Sequence, residues 1–424
     1  MWGYLKLPVI LGGVKLTRRD IVAGMDIGTS NVRVIVGEVI NDGSLNVIGV
    51  GTSPSEGIKK GVIVDLERTV ESITSAASEA ERMVGANIES VNIGIVGSHV
   101  GLVNNRGVVA VARDDKEITE EDVERVLQAA KVIALPQERE IIDVIPREFI
   151  IDGYDGIRDP VGMLGVRLEV EAMVITGTMT SLRNLLRCVN MSGYDVDNLV
   201  LNSLANSEIC LSPDEKELGV FLIDIGGGTT EVALFQHGGV KDIVVLPIGG
   251  DHITNDLAVG LRTTFQIAEK LKIDYGVALE EMTSDEEGIE VESISGKEKR
   301  SISSQELFTY IEPRLHEIMQ LCSQEMARMG FTTAPPGGVV LTGGVSVMKG
   351  ITELAEKAFE APVRTAQPHY LGVKSPIFST SVGLIHYVQR NQLVSRPVKK
   401  MENKAGFLPI LWNKLKNFFT EMWE

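Results

Sequence analysis

The chain has 424 residues, of which 44% are hydrophobic and 23% charged, and carries a net charge of −17 at pH 7. That length suits about two or three domains or one large bilobed unit. The acidic balance excludes nonspecific nucleic-acid binding, which needs a basic surplus against phosphate.

No uninterrupted run of about 18 apolar residues is present to span a bilayer. Cys188, Cys210 and Cys322 are far apart and form no CxxC, which reads as reduced, buried thiols of a cytoplasmic protein. Residues 1–20, "MWGYLKLPVILGGVKLTRRD", have an apolar part short for a signal sequence, with basic residues after it rather than before it. They are read as a leader of unassigned role.

The ordered pattern begins near Ile21 with "IVAGMDIGTSNVRVIVGEVINDGSLNVIGVGT". This reads as a strand ending at Asp26, a Gly-Thr-Ser turn, a strand over Val32–Val39, an Asn-Asp-Gly turn and a third strand. A helix over Leu66–Val84 follows. The stretch "NIESVNIGIVGSHVGLVNNRGVVAVA" is strand-like, and "ITEEDVERVLQAAKVIAL" is a helix opened by a capping box of Thr119 and Asp122. With further strands around Ile141–Ile151 and Arg167–Ile175, these make a small sheet covered by one helix.

The first pattern then returns as "LGVFLIDIGGGTTEVALFQHGGVKDIVVLPIGG", with a strand ending at Asp224, a triple-glycine turn and a strand over Glu231–Phe235. A helix over Asp251–Leu261 follows it. Two Asp-Ile-Gly turns in one strand-turn-strand-turn-strand frame predict duplicated α/β lobes facing each other. Gly28, Gly226, Gly227, Gly228, Gly249 and Gly250 let backbone N–H groups approach an anion without an intervening Cβ. Thr29, Ser30, Asn31, Thr229 and Thr230 add polar side chains for phosphate oxygens. Asp26 and Asp224 are placed to hold Mg2+ through water. Either loop alone is as readily an ordinary hairpin turn; the pair together predicts a nucleotide clamped between the lobes.

Farther on, "FQIAEKLKIDYG" sets Glu269 and Lys272 on one helix face, a spacing that by itself reads as a weak surface ion pair. "GGVVLTGGVSVMKGITELAEKAF" runs a buried strand into Gly343 and Gly344, where a flat ligand can lie against the backbone, and then into a helix from Met348 to Phe359. The chain contains neither a P-loop nor a convincing Rossmann fingerprint.

The end of the chain, "AGFLPILWNKLKNFFTEMWE", carries two of the three tryptophans. On a helix, Leu411, Trp412, Leu415, Phe418, Phe419, Met422 and Trp423 fall on one stripe. Lysines before and within it suit a helix lying in anionic headgroups. The alternative is a terminal helix docked on its own domain.

"DIGTSNVRV", "LIDIGGGTTEVALF" and "VVLTGGVSVMKGI", in this order, resemble the two phosphate motifs and the adenosine motif of the actin, sugar kinase and heat-shock chaperone ATPase superfamily. Over about Ile21–Tyr387 the chain is most similar to the FtsA family of bacterial cell-division proteins, through "GSHV", "LANSEICLSPDEKELGVFLIDIGGGTTEVALF", "AEKLK" and "YIEPRLHEI". The resemblance implies an actin-like ATPase fold of the α/β class binding ATP and Mg2+. Arg33 would lie near the phosphates. Glu269 and Lys272 would contact ribose or adenine, and Gly343, Gly344, Val345 and Met348 the adenosine. Asp224 would orient the attacking water in a slow turnover, with Glu208 of "SLANSEIC" an ambiguous second candidate.

The implied organisation is a leader at 1–20 and a first lobe from 21–84, 167–195 and 363–388, with an inserted α+β subdomain at 85–166. The second lobe comprises 196–252 and 307–362, with a small subdomain at 253–306. A flexible linker at 389–406 and an amphipathic membrane helix at 407–424 complete it. Implied partners are the C-terminal peptide of FtsZ, with Lys299 and Arg300 as candidate contacts, a second copy head to tail, anionic lipid and later division proteins. The implied place is the cytoplasmic face of the membrane at the division site. A pilus-assembly actin-like protein and a metabolic kinase of the same superfamily are the competing readings.

Overall fold

The computed structural model describes residues 21–40, 44–96, 100–294 and 299–391. The leader, residues 392–406 of the expected linker, all seven residues of the expected membrane stripe and the "GSH" of "GSHV" lie outside them. In chain order the first segment comprises strands β1 (Ile21–Ile27), β2 (Asn31–Val39) and β3 (Leu45–Pro54), a short hairpin of β4 (Ile58–Lys59) and β5 (Val62–Ile63), helix α1 (Leu66–Val84) and strand β6 (Ser90–Ile95). Then come β7 (Val100–Ala110), α2 (Glu120–Ala130), β8 (Arg139–Ile151), β9 (Tyr154–Ile157), β10 (Arg167–Thr178), α3 (Met179–Met191) and β11 (Asp195–Leu201).

Helix α4 (Asn202–Cys210) leads into α5 (Pro213–Leu218), β12 (Val220–Ile225), β13 (Thr230–Gln236) and β14 (Gly239–Leu246). Helices α6 (Gly250–Leu261) and α7 (Phe265–Tyr275) precede the hairpin β15 (Glu287–Glu292) and β16 (Lys299–Ser303) and the long α8 (Ser304–Arg328). The remainder is β17 (Val339–Thr342), α9 (Ile351–Phe359), β18 (Val363–Thr365) and α10 (Ser379–Asn391).

Two five-stranded sheets share one topology. The first runs β3-β2-β1-β6-β11 and the second β14-β13-β12-β17-β18. In each, the opening three strands are antiparallel neighbours, and the first of them also pairs in parallel with a later strand. The central strands are buried on both faces, as their continuous apolar runs require. Helix α1 lies directly on β3, where a Cβ on Gly51 would sit 1.9 Å from the Ala76 carbonyl oxygen.

The insert is a four-stranded sheet ordered β7-β10-β8-β9 under α2. Its limits differ from the expected 85–166 at both ends: β6 pairs with β1 and β11 of the first lobe, while β10 pairs with β7 and β8. The cause is visible in "SVNIGIVGSHVGLV", which runs two strands of different sheets together without a strong turn signal.

The capping box forms as expected. The Thr119 hydroxyl accepts from the Asp122 N–H at 3.4 Å, and Asp122 accepts from the Thr119 and Ala112 N–H groups at 3.0 and 3.2 Å. Burial works against ionisation of Asp122, but these bonds and Arg125 outweigh it and hold the carboxyl at about 2. Its contribution is therefore present above the unfolded value near ~4 and lost as pH falls toward 2. Thr119→Ala is expected to cost about 1 kcal/mol. Urea unfolding at pH 7 should show a lower midpoint for the variant, with the difference from the unsubstituted protein shrinking below pH 3.

Candidate functional site

The two Asp-Ile-Gly turns close in the same way. The Gly28 N–H donates to the Asn31 carbonyl at 3.1 Å, and the Gly226 N–H to the Thr229 carbonyl at 3.0 Å. Between them lies a cavity of about 460 Å³, within the range of small-ligand sites. The loops meet across it: the Ser30 hydroxyl donates to Asp251 Oδ1 at 2.9 Å, joining the two lobes. A Cβ on Gly227 would lie 1.8 Å from Ser30 Oγ, so only glycine fits with Ser30 in that position.

Of the residues selected from sequence, Asp26, Gly28, Thr29, Ser30, Asn31 and Arg33 line the cavity from the first lobe. Asp224, Gly226, Gly227, Gly228, Thr229, Gly250, Glu269, Lys272, Gly343, Gly344, Val345 and Met348 line it from the second. Two do not reach its wall. The Thr230 hydroxyl turns inward to the Ile248 carbonyl at 2.8 Å. Gly249 packs beneath the loop, where a Cβ would lie 2.5 Å from the carbonyl oxygens of Gly226 and Gly227. Alternation along β13 explains the first case, since Thr230 and Glu231 must face opposite sides of the sheet.

Gly343 adopts φ 87° and brings the backbone to Asp224; a Cβ there would be 2.2 Å from Asp224 Oδ1. Lys272 is only 8% exposed. Its ammonium is held by Gly250 O at 3.0 Å, Thr254 Oγ1 at 2.8 Å and Glu269 Oε2 at 2.7 Å. The pair thus ties α7 to the start of α6 under the triple-glycine turn rather than riding on a solvated face. Lys299 and Arg300 lie far along the chain from these loops on β16, exposed, near Glu290 at 3.9 Å and Glu306 at 3.1 Å.

Glu208 turns away from the cavity and pairs with Lys216 and Arg390, each at 2.9 Å. What "SLANSEIC" and its preceding asparagine contribute instead is the polar face of α4. Asn202 lines the cavity, Asn206 Nδ2 donates to Asp224 Oδ2 at 2.8 Å, and Ser203 donates to Glu231. Sequence reasoning missed Asn202, Asn206 and Glu231. The signal was there: four polar residues in the first six of a helix that the structure buries, and a glutamate inside an otherwise apolar strand.

The cavity floor is strongly acidic. Burial pushes the Asp224 carboxyl up to about 6, with Asp26 adding to the rise and Asn206 and Arg33 opposing it. Burial and then the nearby Asp224 push Glu231 up to about 8, against the Ser203 hydrogen bond. Burial likewise raises Asp26, with Arg33 pulling the other way at 3.9 Å. A divalent cation would relieve this crowding. Asp26 and Asp224 offer the hard oxygens that Mg2+ prefers, with water and ligand phosphate completing its shell. Two buried polar atoms of the cavity lining, Arg33 Nε and Asn202 Oδ1, lack a protein partner. The first suits a phosphate oxygen and the second a water proton, so the donor set fits a phosphorylated ligand with its cation.

Twin sheets of one topology with a ligand-sized cleft between their glycine turns define an actin-like ATPase fold. Among solved structures, a chain of the PilM–PilN type IV pilus biogenesis complex aligns with TM-score 0.63 at 16% identity, covering 86% of this chain and 97% of that one. MreB5 of Spiroplasma citri bound to ADP aligns with TM-score 0.52 at 14% identity, covering 89% and 100%. At such identities the likeness is one of fold.

Sequence comparison goes further. A model of the cell division protein FtsA matches residues 221–383, and one of the SHS2 domain inserted in FtsA matches 97–176. The cell division protein FtsA of Bacillus subtilis is 47% identical over 376 residues, covering 89% of this chain and 85% of its own. That of Pseudomonas aeruginosa is 44% identical, covering 88% and 90%, and that of Escherichia coli K12 36% identical, covering 90% and 93%. The chain belongs to the FtsA family and is an actin-like cell-division protein.

Proposed function

We propose that the protein binds ATP with Mg2+ in the interlobe cleft and, as an ATP-dependent head-to-tail polymer, tethers the FtsZ ring to the cytoplasmic face of the membrane. The observation that carries the reading is the pair of Asp-Ile-Gly turns meeting across one cavity in an FtsA-family chain. Backbone N–H groups of Gly227 and Gly228, with Thr29 and Arg33, hold the phosphates, while the Gly28 and Gly226 N–H groups close the two turns. Asp26 and Asp224 hold the cation through water. Met348, Val345 and Gly343–Gly344 flank the adenosine. Turnover is slow, with Asp224 orienting water, and ATP acts mainly as a clamp between lobes.

The C-terminal stripe from Leu411 to Trp423 anchors the polymer on anionic lipid. One such helix binds reversibly, and many on a filament bind by avidity. The hairpin bearing Lys299 and Arg300 takes the acidic-compatible contacts of the FtsZ C-terminal peptide, and the insert recruits later division proteins. Identities of 36–47% to FtsA proteins favour division over pilus assembly or a metabolic kinase. The test is co-sedimentation with anionic vesicles in ATP and Mg2+. The full chain is expected to pellet with vesicles, and a chain lacking residues 407–424 to stay in the supernatant while still retaining a fluorescent ATP analogue. Equal pelleting of both would refute the tether, and no retention by either would refute the nucleotide site.

A further inference from the structure

Asp224 is the penultimate residue of β12 of the second lobe, yet the amide that holds its carboxylate is itself fixed from the first lobe. Asn206 is fully buried, and its amide bridges two partners: Nδ2 donates to Asp224 Oδ2 at 2.8 Å, and Oδ1 accepts from Thr380 Oγ1 at 3.0 Å. The two bonds set the amide's orientation jointly, since only Nδ2 can donate to a carboxylate and only Oδ1 can accept from a hydroxyl. Thr380 opens α10, and α10 is packed on the first lobe; a Cβ on Gly24 of β1 would lie 2.1 Å from the Ser381 carbonyl oxygen. Helix α4, which carries Asn206, begins where β11 leaves the first-lobe sheet. The bonds therefore run from a first-lobe helix, through the crossing helix, to a second-lobe carboxylate.

We propose that Asn206 and Thr380 are positioning residues that aim the Asp224 carboxylate at a divalent cation, so that cation affinity in the cleft is governed from the first lobe. The inference rests on the reading of the cleft as a nucleotide–Mg2+ site. Asn206 does not line the cavity and acts through Asp224; Thr380 lines it, and reaches Asp224 only through Asn206. Outer hydrogen-bond partners of this kind orient metal-side ligands, and their loss lowers metal affinity about 10- to 100-fold. The arrangement makes a specific distinction: Asn206 matters for the cation and not for contacts the nucleotide makes without it.

The experiment titrates Mg2+ into the full chain with a fluorescent ATP analogue, and repeats the binding in EDTA. Asn206→Leu keeps the volume and removes both bonds; Thr380→Val removes only the outer one. Asn206→Leu is expected to raise the half-saturating Mg2+ concentration at least about tenfold with residual affinity in EDTA unchanged, and Thr380→Val to raise it less. The double variant should match Asn206→Leu alone, because the bonds form one chain. Unchanged Mg2+ midpoints in both variants would overturn the proposal, as would equal losses with and without Mg2+. Should Asn206→Leu fail to fold, Thr380→Val decides alone, through a loss larger in Mg2+ than in EDTA. A complete absence of analogue binding by the unsubstituted protein would instead refute the nucleotide reading beneath it.

Discussion

Gly227→Ala is expected to weaken binding of an ATP analogue roughly ten- to a hundredfold, corresponding to the ~1–3 kcal/mol typical of overpacking. The reason is the contact between lobes rather than the ligand. The new methyl would sit 1.8 Å from Ser30 Oγ and 2.8 Å from Asp251 Oδ1. To clear it, Ser30 must abandon its bond to Asp251, and the two Asp-Ile-Gly turns must part. Because that clash involves a rotatable hydroxyl, adding Ser30→Gly to Gly227→Ala should recover part of the lost affinity. Wild-type affinity in Gly227→Ala would show that the turns do not close on each other around the ligand.

The second large effect concerns Glu231. Its carboxyl is 3% exposed and titrates at about 8, raised by burial and then by Asp224. A carboxyl whose folded value lies above its unfolded value near ~4.3 stabilises the fold only while protonated. That contribution is fully present below about 4 and is lost as pH rises through 8. Glu231→Gln keeps the shape without the titration. In protein freed of nucleotide and cation it should therefore gain stability relative to the parent as pH rises from 5 to 8, by about 3 kcal/mol at pH 7. Denaturant titrations in EDTA at these pH values measure this directly. A variant equally or less stable at pH 8 would mean that Glu231 is not buried against Asp224 as described.

Much of this site was legible because its logic is local. Asp26 with Gly28–Asn31, and Asp224 with Gly226–Thr229, are contiguous stretches whose turn residues and flanking apolar strands identify themselves. The residues that escaped notice act across the sequence. Glu231 is an ordinary strand residue until the sheet turns it toward the floor of the cavity. Asn206 is an ordinary helix residue until α10, 174 positions later, supplies Thr380. Glu208 drew attention as the acid of its segment, yet helical periodicity points it to Lys216 and Arg390. The pair Glu269 and Lys272 by spacing alone read as a surface couple because nothing in the eleven residues of α7 discloses that α6 will cover them.

The amino-acid order by itself determined that the chain is a duplicated α/β protein with two glycine-rich turns, because strand alternation, turn chemistry and the repeated Asp-Ile-Gly are properties of short windows. Only the tertiary structure decided which strands belong to the insert, which polar side chains meet in the cleft, and how far burial shifts their ionisation. Those outcomes depend on the approach of segments distant in the chain, and on a dielectric environment that exists only after the lobes have closed around one another.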